Sequence, residues 1–253
     1  MLFINSPLEQ FDVVDLISLN APIFNYFNIA LTNFALYSLI TLFLILALHY
    51  YADNENKLIP SNWSISLEAL FSTINTMVKD LIGTRNESYL PFVYSLFSFI
   101  LIANLIGLIP YNFTITTSII LSIGFSFTIF TGVTILSISI HRLHFFSYFV
   151  PSGTPLGLVP LLILIEILSY VARAFSLGVR LFANLCAGHS LLKILSTFLY
   201  QMFSSSLILA IFTLLPFAIF IALIGLELAV CFIQSIVFSI LVSSYLKDAI
   251  DLH

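Results

Sequence analysis

The sequence predicts an all-α polytopic membrane protein with about five membrane-embedded helices, and three observations carry that prediction. Of 253 residues, 60% are hydrophobic and only 8% charged, against roughly 25% charged in a soluble domain. Mean hydropathy is +1.11. Apolar runs long enough to cross a ~30 Å hydrocarbon core recur along the chain. A soluble fold of this length has too little interior to hide so much apolar side chain. The same composition excludes a disordered chain, a disulfide scaffold and a nucleic-acid binder, since only 8 Lys and Arg are present. Cys186 and Cys231 both lie inside apolar runs, where cysteine behaves as a small hydrophobe.

The elements follow in order within one membrane-embedded domain, 1–253. Residues 1–27 form a short acidic segment with Glu9, Asp12 and Asp15. No Lys or Arg precedes Lys57, so neither a basic signal peptide nor an Arg-rich transit peptide is expected. Such a chain is inserted where it is made, in a bacterium or an organelle. Its Phe-, Ile-, Leu- and Asn-rich composition suits an AT-rich organellar genome. The first span is expected at 28–52, followed by a polar linker from Asp53 to Asn62. Over 64–83 the period changes: Leu67, Leu70, Phe71, Ile74, Val78, Leu81 and Ile82 recur at helical spacing, opposite Glu68, Ser72, Asn75 and Lys79. That pattern predicts an amphipathic helix lying in the interface, ended by Gly83, Arg85 and Asn86. A helical hairpin is expected over 90–140, its first arm closed by Pro110 and its far end marked by His141, Arg142 and His144. Pro151, Gly153 and Pro155 then break the chain.

The region 156–249 is unlike ordinary spans. One apolar run continues for about 47 residues, on the order of 70 Å if helical, and a second, with Pro216 and Gly225 as candidate kinks, is almost as long. Periodicity is compatible with two short helices in each run or with one long, steeply tilted helix in each. Lys57, Lys79, Arg85, Arg142 and Lys247 fall on one side if five crossings begin outside and end inside.

Ionisable groups inside these runs demand explanation, because a charge at the bilayer centre costs ~2.5–3.5 kcal/mol or more. They are Glu166, Arg173, Arg180, His189, Lys193 and Glu227, with Asn184 and Gln234 as polar companions. Glu166, Arg173 and Arg180 recur at sevens and Asn184 follows at four, so all four share one helical seam. Ser169, Ala172, Ser176, Ala183, Ala187 and Ser190 run beside it, small enough to let another helix approach. Glu227, Gln234 and Asp248 repeat at sevens, with Leu241 filling the gap. Folding one run onto the other would set acids against arginines. His189 lies half a turn away from the arginine seam. A structural ion pair is an ordinary fate for Arg173, snorkelling for Lys193, and a hydrogen-bonded interior for His189. Arg180 has no acid at i±3 or i±4, so its partner must come from another helix or another chain. An arginine is a fixed cation that protons do not traverse, whereas carboxylates and His load and unload them. Acids on both sides of a permanent cation describe a proton path with an electrostatic barrier. A haem-bearing respiratory subunit would need paired axial His inside spans, and a secondary transporter would need internal repeats; the sequence offers neither.

The run Ser176-Leu-Gly-Val-Arg180-Leu-Phe-Ala-Asn184-Leu-Cys-Ala-Gly-His189 closely resembles the signature of subunit a (subunit 6) of F-type ATP synthases. The ending Ser244-Tyr-Leu-Lys-Asp248-Ala-Ile-Asp-Leu-His resembles mitochondrial, particularly fungal, members. The resemblance implies a non-catalytic stator beside a rotating ring of c subunits, with two aqueous half-channels and no cofactor or metal. Arg180 matches the family's essential arginine, with Asn184 and Gln234 as its polar neighbours. His189 and Glu227 match the pair in the intermembrane-space half-channel. Glu166 and Asp248, with Arg173 nearby, match positions near the matrix exit. It implies that the two long helices form a steeply tilted hairpin against the ring. It further implies a peripheral-stalk subunit b and small membrane subunits as partners, in the mitochondrial inner membrane, with the N-terminus in the intermembrane space and the C-terminus in the matrix. Met1 to Asn5 resemble a leader that some fungal members lose.

Overall fold

The computed structural model describes residues 7–20, 28–52, 59–109, 112–149, 156–205 and 212–250. The expected leader, residues 53–58 of the linker, Pro110 and the Pro151–Pro155 breaker lie outside those residues. Two antiparallel strands, β1 (Asp15–Asn20) and β2 (Asn28–Thr32), precede six α-helices. These are α1 (Asn33–Ala52), α2 (Asn62–Ile82), α3 (Leu90–Gly107), α4 (Ile119–His141), α5 (Val159–Ser205) and α6 (Leu214–Ile250). All but α2 are long and apolar enough to cross a membrane, and the chain is a multi-pass membrane protein. The first long run is not split, nor is the described part of the second from Leu214 onward. α5 is one helix of 47 residues and α6 one of 37. Pro216 falls in the first turn of α6, where its missing N–H breaks no ladder bond, and Gly225 sits inside the helix without ending it.

The chain divides into two units. One comprises 1–50, 99–118 and 182–234, the other 51–98, 119–181 and 235–253. In the first, the start of α1 corrects the expected span: residues 28–32 pair as β2, and the helix begins at Asn33. The cause is local. Thr32 Oγ1 accepts from the Ala35 N–H at 3.3 Å, as an N-cap does. The Asn33 amide meanwhile clips the strand before β1, accepting from Val14 N–H (3.2 Å) and donating to Asp12 O (3.1 Å). The lower part of α3 and the turn after it join α1 through Tyr37, whose hydroxyl reaches Asn112 Oδ1 at 3.3 Å. A Cβ on Gly107 would overlap Thr114, so only glycine lets the chain turn back there.

In the second unit, α2 buries Ile74, Val78 and Ile82 and sets Phe71 edge-on to Tyr94, 5.4 Å between ring centroids. Gly83 ends it at φ 90°, a conformation that glycine tolerates. Along α4 the buried residues are Ser122, Ser126, Ile129, Val133 and Ser137, a face of small and branched side chains. It receives α5 at Gly178, where a Cβ would stand 2.5 Å from Ser126 Oγ, 2.8 Å from Ser122 O and 2.9 Å from Ile123 Cα. α6 contributes Ser235, Ser239 and Ser243, all fully buried. Ser239 and Ser243 donate to the carbonyls of Ser235 and Ser239 at 2.9 and 2.8 Å, which satisfies their hydroxyls without a partner helix. Phe125 stacks on Phe238.

Candidate functional site

Each unit holds one polar cluster built from α5 and α6. In the first unit, Glu227 is buried to 4% exposure. His189 Nδ1 approaches its Oε1 at 3.4 Å, an ion-pair distance. Room for that carboxylate comes from Gly188, where a Cβ would stand 2.6 Å from Glu227 Oε1. One helical turn N-terminal to Gly188, Asn184 Nδ2 donates to Gln234 Oε1 at 3.0 Å. Asn184, Gly188 and Glu227 also border a cavity of about 290 Å³, otherwise walled by aliphatic side chains. On α6, Glu227, Cys231 and Gln234 lie at i, i+4 and i+7 on one buried face. Against it stands Asn104 of α3, fully buried; Cys231 Sγ donates to its backbone carbonyl at 3.9 Å. Among the described residues, both amide atoms of Asn104, both oxygens of Glu227, Gln234 Nε2 and His189 Nε2 make no hydrogen bond. So many open polar atoms on facing helices, each costly to bury unpaired, single this cluster out as the candidate site.

In the second unit, Arg173 lies between two acids. Its Nη1 is 3.4 Å from Asp248 Oδ2 and its Nη2 is 3.7 Å from Glu166 Oε1. The hydroxyl of Tyr245 donates to the Arg173 carbonyl at 3.4 Å. A cavity of about 20 Å³, bordered by Ser137, Arg173, Tyr245 and Asp248, adjoins the pair.

The structure therefore joins Glu166, Arg173 and Asp248, joins Asn184 and Gln234, and joins His189 and Glu227. It leaves Arg180 apart. Arg180 is exposed and has no ion pair or hydrogen bond among the described residues. Four of the small residues expected on α5 to let another helix approach lie on its exposed side. Ala172 and Ser176, two turns and one turn before Arg180, are exposed with it, as are Ala183 and Ala187 further on. What α5 buries instead is Ala174, Leu177, Gly178, Leu181 and Leu185.

Three participants escaped the sequence reading: Asn104, Gly188 and Tyr245. Asn104 could have been found as the lone amide inside the apolar α3 run. Gly188, beside an intramembrane His, could have been read as clearance for a facing group. Tyr245 carried no distinguishing signal.

Fold and clusters define a class: a multi-pass helical membrane protein whose two long helices carry ionisable groups inside apolar runs. Comparison with known proteins specifies it further. Residues 35–247 match the model of the ATP synthase A chain family. A protein named ATP synthase subunit a from Mycosarcoma maydis is 62% identical over 250 residues, covering 99% of this chain and 98% of its own length. Proteins of the same name from Emericella nidulans and Trichophyton rubrum are 51% and 48% identical, over 99% and 100% of this chain and 98% and 100% of their own lengths. The chain belongs to the ATP synthase A chain family, the a subunits of the membrane sector of that complex.

Proposed function

We propose that this chain is the proton-translocating stator subunit of ATP synthase, holding Arg180 against the carboxylates of a rotating c-ring between two aqueous half-channels. The observation that carries this reading is the contrast between Arg180 and Arg173. Arg173 holds two acids of its own chain. Arg180 has none among the described residues and is exposed on a face with Ala172 and Ser176. An unmatched cation in the membrane is expensive, and small flanking residues let a second backbone come close. Both features fit an acid brought by another chain, and a ring carboxylate is such an acid.

Roles follow from chemistry. Arg180 cannot release its proton, so it attracts a deprotonated ring carboxylate and blocks direct passage of protons between half-channels. His189 and Glu227 deliver protons from the intermembrane-space side, with Asn104, Asn184 and Gln234 as the polar wall along which they hop. The ring carriers give protons up toward Glu166 and Asp248, with Arg173 keeping those two acids in place on the matrix side. Each charge that crosses the field gains ~2.3 kcal/mol per 100 mV. The chain makes and breaks no covalent bond; ATP forms elsewhere in the complex.

Helix length supports a tilted hairpin. A helix of 47 residues is about 70 Å long, and holding it within ~30 Å of hydrocarbon requires a tilt of roughly 65° from the membrane normal. Such a helix presents a long side to a ring. A peripheral-stalk subunit b and small membrane subunits would cover the remaining apolar faces in the lipid bilayer. Fungal relatives and the Lys and Arg distribution support the mitochondrial inner membrane, with the N-terminus in the intermembrane space and the C-terminus in the matrix. The test is ATP-driven proton pumping in vesicles carrying Arg180→Gln, with assembly followed on native gels. An assembled complex that does not pump is expected. An assembled complex that pumps normally would make the arginine structural and end the proposed mechanism.

A further inference from the structure

Where α4 ends, it supplies a cap for another helix. His141 is its last residue, and Arg142 follows at φ 51°, a left-handed conformation that non-glycine residues adopt when neighbouring contacts hold them there. Nε2 of His141 lies 3.1 Å from the carbonyl oxygen of Ala249 and 3.0 Å from that of Ile250. Carbonyls only accept, so Nε2 carries a hydrogen and shares it between the two. Both carbonyls belong to the last described turn of α6, toward the helix end where C=O groups run short of intrahelical donors and carry the negative end of the dipole. A side chain from α4 thus satisfies the end of α6.

The residue immediately before that capped pair is Asp248, 3.4 Å from Arg173. The same end of α6 borders the 20 Å³ cavity, together with Ser137, one turn before His141 on α4. Without a donor at this point the last turn of α6 would fray, as uncapped helix ends do, and Asp248 would lose its fixed distance to the guanidinium. We propose that His141 is a positioning residue of the exit path, acting through Asp248 by capping the C-terminus of α6. This rests on the reading of Asp248 as an exit-path acid.

The experiment is a double-mutant cycle on the assembled complex, with ATP-driven proton pumping normalised to complex on native gels. His141→Ala is expected to slow pumping about fivefold, the kinetic equivalent of one lost hydrogen bond. His141→Gln, whose amide N–H sits at the same reach as Nε2–H, should restore most of the rate. Asp248→Asn should slow pumping by itself, and adding His141→Ala to it should change nothing further. Equal slowing by His141→Ala in both backgrounds would overturn the proposal while leaving the exit-path reading intact. Normal pumping by Asp248→Asn would overturn both. If His141→Ala and the shorter donor His141→Asn both abolish assembly, the residue is structural and the proposal fails.

Discussion

Gly188→Ala is the sharpest test of the buried His189–Glu227 pair, because it adds one methyl group and removes no polar atom. The new Cβ would lie 2.6 Å from Glu227 Oε1, 3.2 Å from Cδ and 3.4 Å from Cγ. Ordinary van der Waals contact begins at 3.4 Å, so the carboxylate must retreat by about 0.8 Å, the difference between 3.4 and 2.6. His189 Nδ1 already stands 3.4 Å from the same oxygen, and a retreat of that size takes it beyond contact. Two stability effects oppose each other: alanine is a better helix former than glycine by ~1 kcal/mol, and overpacking costs roughly 1–3 kcal/mol. The clash is with the end of a side chain, so the cost lies at the low end and assembly should survive. Losing the polar contact is worth about 1.4 kcal/mol, or roughly tenfold in rate. Gly225→Ala, two residues before Glu227, is the control, since among the described residues nothing outside its own stretch of helix lies within 4 Å of its added Cβ. Pumping in vesicles, with complex quantified on native gels, should fall about tenfold for Gly188→Ala and stay at the wild-type level for Gly225→Ala. Wild-type pumping by Gly188→Ala would show that the position of the carboxylate is unimportant, and with it would go the entry-path role given to the pair.

Two further outcomes are expected. Gly178→Ala should abolish the assembled complex, because its Cβ meets the backbone of Ser122 and Ile123 as well as Ser126 Oγ, and backbone cannot swing aside at the ~1–3 kcal/mol of ordinary overpacking; native gels decide this, and a normal yield would contradict the close α4–α5 crossing. Glu227→Gln keeps the size of a buried group and removes its proton-carrying capacity, so complex should be present at wild-type amount while pumping slows; loss of the complex would make Glu227 structural.

Much of the fold was legible because lipid imposes a simple rule: spans must be apolar and about 20 residues long. Five apolar runs and one amphipathic run translated into six helices for that reason. The N-terminal ribbon was hidden, since Asn28–Thr32 is as apolar as the helix it precedes and only the Thr32 and Asn33 side-chain bonds separate them. The continuity of α5 and α6 was equally hidden, because periodicity reads the same in one helix or two. At the site, seven-residue spacing set Glu166 and Arg173 on one seam and Asp248 on another, as ionisable groups in an apolar run announce themselves, and the family resemblance is what grouped the three. Spacing carried no signal for Gly188, whose contribution is the absence of a methyl group. Nor did it reveal that Ala172 and Ser176 face outward with Arg180, while Ala174 and Gly178, interleaved with them on the same helix, face inward.

That interleaving bears on how the proposed stator would use two arginines seven residues apart on one helix. Both are permanent cations, so any difference in role must come from their surroundings. Arg173 is held by Asp248 at 3.4 Å and Glu166 at 3.7 Å, and a guanidinium with two acids has little attraction left for a third. Arg180 has no ion pair among the described residues, and the seven-residue repeat of Glu227, Gln234 and Asp248 on α6 skips a polar group at Leu241. An acid of the same chain paired with Arg180 would neutralise it, and under the proposed mechanism a ring carboxylate would then meet a closed pair. The outward-facing cation is uncommitted, while the cation two turns earlier is matched by Glu166 and Asp248.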